Sequence, residues 1–194
     1  MTSLRTSVLV ALAVLAFPAT ASATVGGDTR IEVLGYEAAR DLVVMLRCME
    51  GEVETGEGCS LLLLDAESGR VTESRQFAHE DLDARTARLE RLRRRLTPMP
   101  PVPPGSVTLH RTIERRYRRW VEPALLHMQF MTLRVRVEVD GHTAETHVEA
   151  FGTSRVRLRH AARVPGRDAV LVVFDYHGDP FELGYDVDEA VLVR

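Results

Sequence analysis

The sequence predicts a single α+β domain, built mainly from antiparallel β-sheet and preceded by a leader that is removed on export. Three observations carry this prediction. Short runs rich in valine and leucine alternate with glycine-containing turns, which is typical of strands. One arginine-rich stretch has apolar residues at near-helical spacing, and an apolar run stands at the amino terminus. Residues 24–194 are enough for one domain with its own core.

Residues 1–23 have the three parts of a secretory signal peptide. Arg5 supplies the positive charge, residues 7–17 the apolar segment, and residues 21–23 the small side chains before the cleavage site. The apolar segment is shorter than the roughly 20 residues that a membrane-spanning helix needs. We therefore expect a secreted or periplasmic protein with a cleaved leader and no transmembrane segment. The alternative is an uncleaved signal anchor.

Short apolar runs predict three strands in the next part of the chain, over residues 30–36, 40–49 and 60–65. A glycine-containing turn then leads into a polar strand, which indicates a hairpin. Residues 79–97 have apolar residues near helical spacing and arginines elsewhere, so they predict one amphipathic Arg-rich helix. We interpret the arginines near its end as a solvated face; they are Arg91, Arg93, Arg94 and Arg95.

The chain contains two cysteines, Cys48 and Cys59. Two lone cysteines pair in an oxidising compartment. The segment between them is rich in glutamate and glycine, so it would repel itself and stay floppy without a cross-link. Closing a loop of this length contributes about 3 kcal/mol to stability in the chain-entropy model. We predict a disulfide, because a metal–thiolate site would need further ligands nearby.

Residues 98–104 contain five prolines, which end the predicted helix. The segment is either a stiff spacer inside one domain or a weak domain boundary. We favour the spacer, because neither half of the chain alone contains a complete core.

The clearest local prediction is a hairpin with an Asp-Gly turn at residues 140–141, a favoured two-residue connection. This turn pairs residues 133–139 with residues 142–148. One face of the hairpin is then mostly apolar, and the other carries Arg136 opposite Glu145. A slip of one residue would scramble both faces, so the register is well specified.

Two stretches of the chain are similar to each other. Residues 40–52 (RDLVVMLRCMEGE) align with residues 167–179 (RDAVLVVFDYHGD), and SLLLLD and EAVLVR follow at similar distances. Each stretch resembles one hairpin of a β-propeller blade, and the chain as a whole resembles secreted β-rich bacterial proteins of no known activity. Two copies cannot close a propeller. The resemblance therefore implies two related hairpins in one sheet system and no propeller activity.

Asp175, His177 and Asp179 alternate along a predicted strand, so on an extended chain they project from one side. Two carboxylates and an imidazole can hold a divalent metal with positions open for water, as hydrolytic sites require. Gly178 would permit the bend that brings the three together. The alternative is a polar strand end that runs into a loop. No motif of nucleophilic catalysis is present, and no cofactor is expected.

Residues 115–120 (RRYRRW) interleave cations with aromatic rings. Such residues can bind anionic envelope material through ion pairs and stacking. Alternatively, they can be the charged face of a strand or helix that complements the acidic segments of the chain. The arginines concerned are Arg115, Arg116, Arg118 and Arg119. Outside the cytoplasm, envelope polyanions or another envelope protein are more plausible partners than nucleic acid. The sequence thus favours a non-catalytic binding or scaffold module, with a metal-dependent hydrolase as the alternative.

Overall fold

The computed structural model describes residues 28–49, 59–76, 82–121, 126–179 and 185–194. These residues form ten strands and one α-helix, and no helix among them is long and apolar enough to cross a bilayer. The helix is α1 (Leu82–Arg93), and a 3₁₀ turn covers Pro104–Ser106. The strands are β1 (Thr29–Glu37), β2 (Leu42–Met49), β3 (Cys59–Asp65), β4 (Val71–Gln76), β5 (Val107–Val121), β6 (Leu126–Val139), β7 (His142–Phe151), β8 (Val156–Arg163), β9 (Val170–Asp179) and β10 (Tyr185–Val193).

The predicted α+β class is wrong, because the fold is mostly β and its helix is only 12 residues long. An amphipathic Arg-rich helix over residues 79–97 is not what the structure shows either. Arg85 is only 7% exposed and shares the buried side of α1 with Leu89. The buried side of the helix is therefore not purely apolar, and the helix serves as a connection between two sheets rather than as a layer of its own.

Seven strands form one mixed sheet, sheet A, in the order β4-β3-β2-β1-β10-β9-β8. The other three form sheet B in the order β5-β6-β7. Within sheet A, β1 and β10 run parallel, and the other neighbouring strands of both sheets pair antiparallel. The mixed sheet A is a second departure from the predicted architecture.

The β6–β7 hairpin has the predicted register. Val139 pairs with His142, and Leu133 pairs with Val148. The turn residues Asp140 and Gly141 have φ angles of 52° and 85°, the left-handed conformation that this two-residue turn requires at both positions. The apolar row of β6 is buried, as the predicted pattern requires.

The two similar stretches form the hairpins β2–β3 and β9–β10, and both hairpins belong to sheet A. They do not pair with each other, because β1 lies between β2 and β10. The internal similarity therefore corresponds to two hairpins of one sheet.

Sheet B covers one face of β8, β9 and β10. Leu133 and Val135 of sheet B share a buried cluster with Val172 and Phe174 of β9. Because side chains alternate along a strand, Leu171 projects from the opposite face of β9. There it belongs to a second cluster, which also contains residues of β1, β2, β3 and β10.

The helix α1 packs on sheet A at the β2–β3 hairpin. Leu89 contacts Leu46 and Cys59, and Leu96, just beyond the helix, packs with Leu42 and Val44. The helix therefore covers the side of the β2–β3 hairpin that faces away from the second cluster.

The Pro-rich segment predicted as a spacer is extended and tied to sheet A at both ends. Thr97 and Tyr36 of β1 exchange two backbone hydrogen bonds, at 2.9 and 2.8 Å. Further along, the Val102 N–H donates to the carbonyl of Ala161 in β8, at 2.9 Å. Prolines suit the part of the segment beside β8, the last strand of sheet A, because a chain at a sheet edge does not need every N–H group for pairing.

Candidate functional site

Cys48 and Cys59 form the predicted disulfide. The two residues are directly paired between β2 and β3, with their Cα atoms 4.1 Å apart. Cys59 is buried beside Leu89 of α1. A disulfide at this position fits an oxidising compartment outside the cytosol. The predicted leader, residues 1–23, lies outside the described residues.

Asp175, the first residue of the predicted metal triad, is 1% exposed. Arg157 of β8 donates to both of its carboxylate oxygens, from Nε at 3.0 Å and from Nη2 at 2.7 Å. The same Nη2 atom also donates to Asp186 of β10, at 2.6 Å. This fork is a strong, charge-assisted arrangement, and a metal ion at Asp175 would have to displace it.

His177, the second residue of the triad, lies in the same network. Its Nδ1 atom is 3.2 Å from Oδ1 of Asp186, and its ring stacks on Phe151 with centroids 5.9 Å apart. The side chain of Asp179 lies outside the described residues, so the complete triad stays a prediction. Across the described ranges, no group of three or more His, Cys, Asp or Glu side chains could hold a metal ion.

Gly178 has a role that the sequence does not reveal. A Cβ atom at this position would lie 2.5 Å from Cε2 of the Tyr176 ring. The glycine therefore makes room for a neighbouring ring that lies over the backbone of β9.

Asp188 is a second buried carboxylate of this network, at 3% exposure. The Ile31 N–H donates to its Oδ2 atom at 2.8 Å, while the guanidinium groups of Arg30 and Arg159 are 3.6 and 3.8 Å from Oδ1. Burial raises the pKa of Asp188, and the hydrogen bond from Ile31 and the two arginines offset this only in part.

Asp186 has the opposite shift. Burial alone would raise its pKa, but the contact with His177 and the charges of Arg157 and Arg155 outweigh burial and lower the pKa overall. Asp186 and Asp188 are two residues apart on β10, and their pKa values are shifted in opposite directions.

We expect Asp188→Asn and Asp186→Asn to change the pH dependence of stability with opposite signs. A carboxyl whose folded pKa is raised stabilises the fold below its ordinary pKa of 3.8, and this contribution is lost as the pH rises through the folded pKa. A carboxyl with a lowered pKa stabilises the fold above 3.8 and loses this contribution as the pH falls.

The measurement is urea unfolding of both variants and the parent chain between pH 3 and 7. Relative to the parent, Asp188→Asn should gain stability with rising pH, and Asp186→Asn should lose it. If the stability difference from the parent changed in the same direction with pH for both variants, burial would not be the dominant influence on the pKa of Asp188.

The four arginines predicted to bind polyanions lie on β5, and all four are exposed. Strand β5 pairs with β6 as far as Val121 and Leu126, whereas the pairing of β7 with β6 ends at Phe130. Residues 118–121 and 126–129 therefore form a two-stranded arm that extends past β7.

Strand alternation divides these arginines between two faces. Arg115 and Arg119 lie on the face of Tyr117, and contacts hold both of them. The guanidinium of Arg115 is 5.3 Å from the Tyr117 ring centroid; that of Arg119 is 4.3 Å from the Phe130 ring centroid, with Nη1 2.9 Å from Glu149.

The other face of β5 carries Arg116 at the base of the arm, followed by Arg118 and Trp120 within the arm. Neither arginine has an ion pair with the residues that the structure describes, and Trp120 is 49% exposed. Trp120 makes an edge contact with the His127 ring, with centroids 5.4 Å apart. We call Arg116, Arg118 and Trp120 the arm face.

The structure also contains a groove between α1 and sheet A that the sequence analysis did not predict, with a volume of about 260 Å³. Its walls include Arg88, Arg91 and Arg95. These arginines recur at intervals of three and four, so a helical pattern could have placed them on one side. The sequence does not show that this side borders a groove, and it predicts Arg91 and Arg95 only as part of a solvated face.

No family of proteins, no curated protein and no solved structure matches this chain. These comparisons do not tie its hairpins to a β-propeller family, and that resemblance stays a prediction. Any function must therefore be argued from the described residues themselves.

Proposed function

We propose that the chain is a non-catalytic binding module of the cell envelope or extracellular space, which attaches to anionic lipid surfaces. The observation that carries this proposal is the arm face, where Arg116, Arg118 and Trp120 are exposed together on one face of β5, the last two of them beyond the end of the β6–β7 pairing. The disulfide supports an oxidising location, and the leader predicted for residues 1–23 provides a route of export.

The three side chains have complementary affinities for a lipid surface. A guanidinium group binds phosphate through two parallel hydrogen bonds. Tryptophan prefers the interface between lipid and water, where its ring is shielded and its N–H group is hydrated. Each arginine near an anionic surface contributes about 1 kcal/mol, an attraction that salt screens.

The contrast between the two faces of the arm indicates which residues would bind. Arg119 is engaged by Glu149 and Phe130, and moving it to a ligand would break both contacts. Arg116 and Arg118 have no such contacts to lose among the described residues. The attachment therefore depends on the arm face rather than on all four arginines.

We expect the protein to bind vesicles of phosphatidylglycerol and phosphatidylcholine but not vesicles of phosphatidylcholine alone. Arg116→Gln/Arg118→Gln should weaken this binding about tenfold or more, because about 2 kcal/mol of attraction is lost. Co-sedimentation with the vesicles at two salt concentrations measures the binding of each variant. The control is Arg111→Gln/Arg136→Gln, which changes net charge equally at exposed positions away from the arm.

Trp120 is the single tryptophan of the chain, so its fluorescence reports on the arm directly. Its emission should shift to shorter wavelength when anionic vesicles are added. Vesicle binding with an unchanged emission, or equal loss of binding in the test and control variants, would place the contact elsewhere and reject the proposal.

A further inference from the structure

We infer that the groove between α1 and sheet A binds a single-chain amphiphile with a carboxylate head, the chemistry of a free fatty acid. This inference goes beyond surface attachment, because the groove lies on sheet A and the arm belongs to sheet B. It rests on the composition of the groove floor, the charge of its rim and the pairing of the helix arginines.

The floor of the groove is apolar. Its side chains come from the β2–β3 hairpin on one side and from α1 on the other: Val44, Leu61, Leu63, Leu89 and Leu92. Val44, Leu63 and Leu89 are buried. The groove therefore lies between α1 and the β2–β3 hairpin and has an apolar floor, unlike a shallow depression in a polar surface. Such a floor favours a hydrocarbon chain, since burying apolar surface contributes about 25 cal/mol per Å².

The rim of the groove is strongly positive. Arg40 follows β1, and Arg88, Arg91 and Arg95 come from α1 and the residues after it. Glu37 is the one acidic residue among the described residues that line the groove, and it pairs with Arg40 at 3.5 Å. Among the described residues of the rim, positive charge is therefore in excess. Since Arg40 and Arg88 have interactions of their own, an anionic head group would neutralise chiefly Arg91 and Arg95.

Two arginines of the groove, Arg91 and Arg95, differ from Arg93 in their ion pairs. Arg93, on the other side of the helix, is held by Glu32 at 2.6 Å and by Glu90 at 3.3 Å. Arg91 and Arg95 have no ion pair within the described ranges. Arg91 lies in the last turn of α1 and Arg95 two residues beyond its end, and both line the groove, so their like charges repel. A carboxylate between them would relieve this repulsion.

The floor and the rim together determine the ligand class. A small inorganic anion would leave the floor uncovered, and a neutral lipid would leave the rim unneutralised. A volume of about 260 Å³ is slightly below the usual range of 300–1,000 Å³ for ligand pockets. This size fits one slender chain and excludes a lipid with several chains inside the groove.

The test is calorimetric titration of the mature chain with decanoate, with acetate as the head group alone and 1-decanol as the chain alone. Decanoate should bind, acetate should not, and decanol should bind at least about tenfold more weakly. Arg91→Gln/Arg95→Gln should weaken decanoate binding about tenfold or more. The control is Arg94→Gln/Arg111→Gln, which removes the same charge from exposed positions outside the groove.

Three outcomes would overturn the inference: no heat of binding with decanoate, equal affinity for decanoate and decanol, or equal losses in the test and control variants. Thermal unfolding of each variant checks that the fold is retained. Failure here is separable from failure at the arm, because Arg91→Gln/Arg95→Gln should keep its vesicle binding and Arg116→Gln/Arg118→Gln should keep its decanoate binding.

Discussion

Gly35→Ala is expected to destabilise the fold by about 3 kcal/mol, a large part of the stability of an ordinary domain. Gly35 has a φ angle of 145° at a bulge in β1. A Cβ atom there would lie 2.9 Å from the Leu96 Cβ atom and 2.9 Å from the Thr97 carbonyl oxygen. That oxygen cannot simply move away, because it accepts a hydrogen bond from the Tyr36 N–H group.

Substitutions at two other glycines distinguish the cost of backbone conformation from the cost of close contact. Gly166 has a φ angle of 71° but open space around it, so Gly166→Ala should cost about 1–2 kcal/mol through conformation alone. Gly105 has neither constraint, and Gly105→Ala should be close to neutral. Urea unfolding of the three variants gives the comparison. If Gly35→Ala costs no more than Gly166→Ala, the chain after α1 does not cross β1 at this distance.

Removing the disulfide by Cys48→Ser/Cys59→Ser is expected to cost about 3 kcal/mol, because the unfolded chain regains the freedom of the closed loop. In a chain of this length, such a loss lowers the melting temperature by about 6–12 °C. The hydroxyl that replaces the buried Cys59 sulfur would also sit in the apolar cluster under Leu89.

Calorimetric melting of the double variant, compared with the parent chain in dithiothreitol, measures this effect. The reduced parent and the variant should melt within a few degrees of each other, and both well below the oxidised parent. Identical melting of the oxidised and reduced parent would contradict the predicted contribution of the cross-link.

The features that the sequence predicted correctly are local. The Asp140-Gly141 turn dictates its own backbone angles, and the alternation of valines then sets the register of β6 and β7. The disulfide follows from there being two cysteines, flanking a short loop. In each case the determining residues lie within about a dozen positions of one another.

The α+β prediction failed because a short helical pattern does not reveal what the helix packs against. Arg85 sits on the buried side of α1, so local periodicity overstated the amphipathic character of the stretch. Likewise, nothing in the Pro-rich segment alone shows that Thr97 pairs with Tyr36. Both facts depend on contacts between residues far apart in the chain.

The candidate sites show the same division. Alternation along β9 predicts that Asp175 and His177 project from one side, but the bidentate contact of Asp175 with Arg157 depends on β8 being the neighbouring strand. The run of arginines on β5 was visible in the sequence. Among the described residues Arg119 has partners while Arg116 and Arg118 have no ion pair, and the partners of Arg119 are Glu149 and Phe130, which belong to other strands.

The sequence by itself determined the tight turn, the alternating faces of the hairpin and the cross-linked loop, since these depend on the conformational preferences of adjacent residues. Only the tertiary structure decided the groove, the arm face and the aspartate–arginine network. The groove and the aspartate–arginine network place side chains from different strands, or from a strand and the helix, within a few ångströms, and the arm face extends past β7 because the β6–β7 pairing ends at Phe130. Such proximity is fixed by strand order and packing, which no short stretch of the chain encodes.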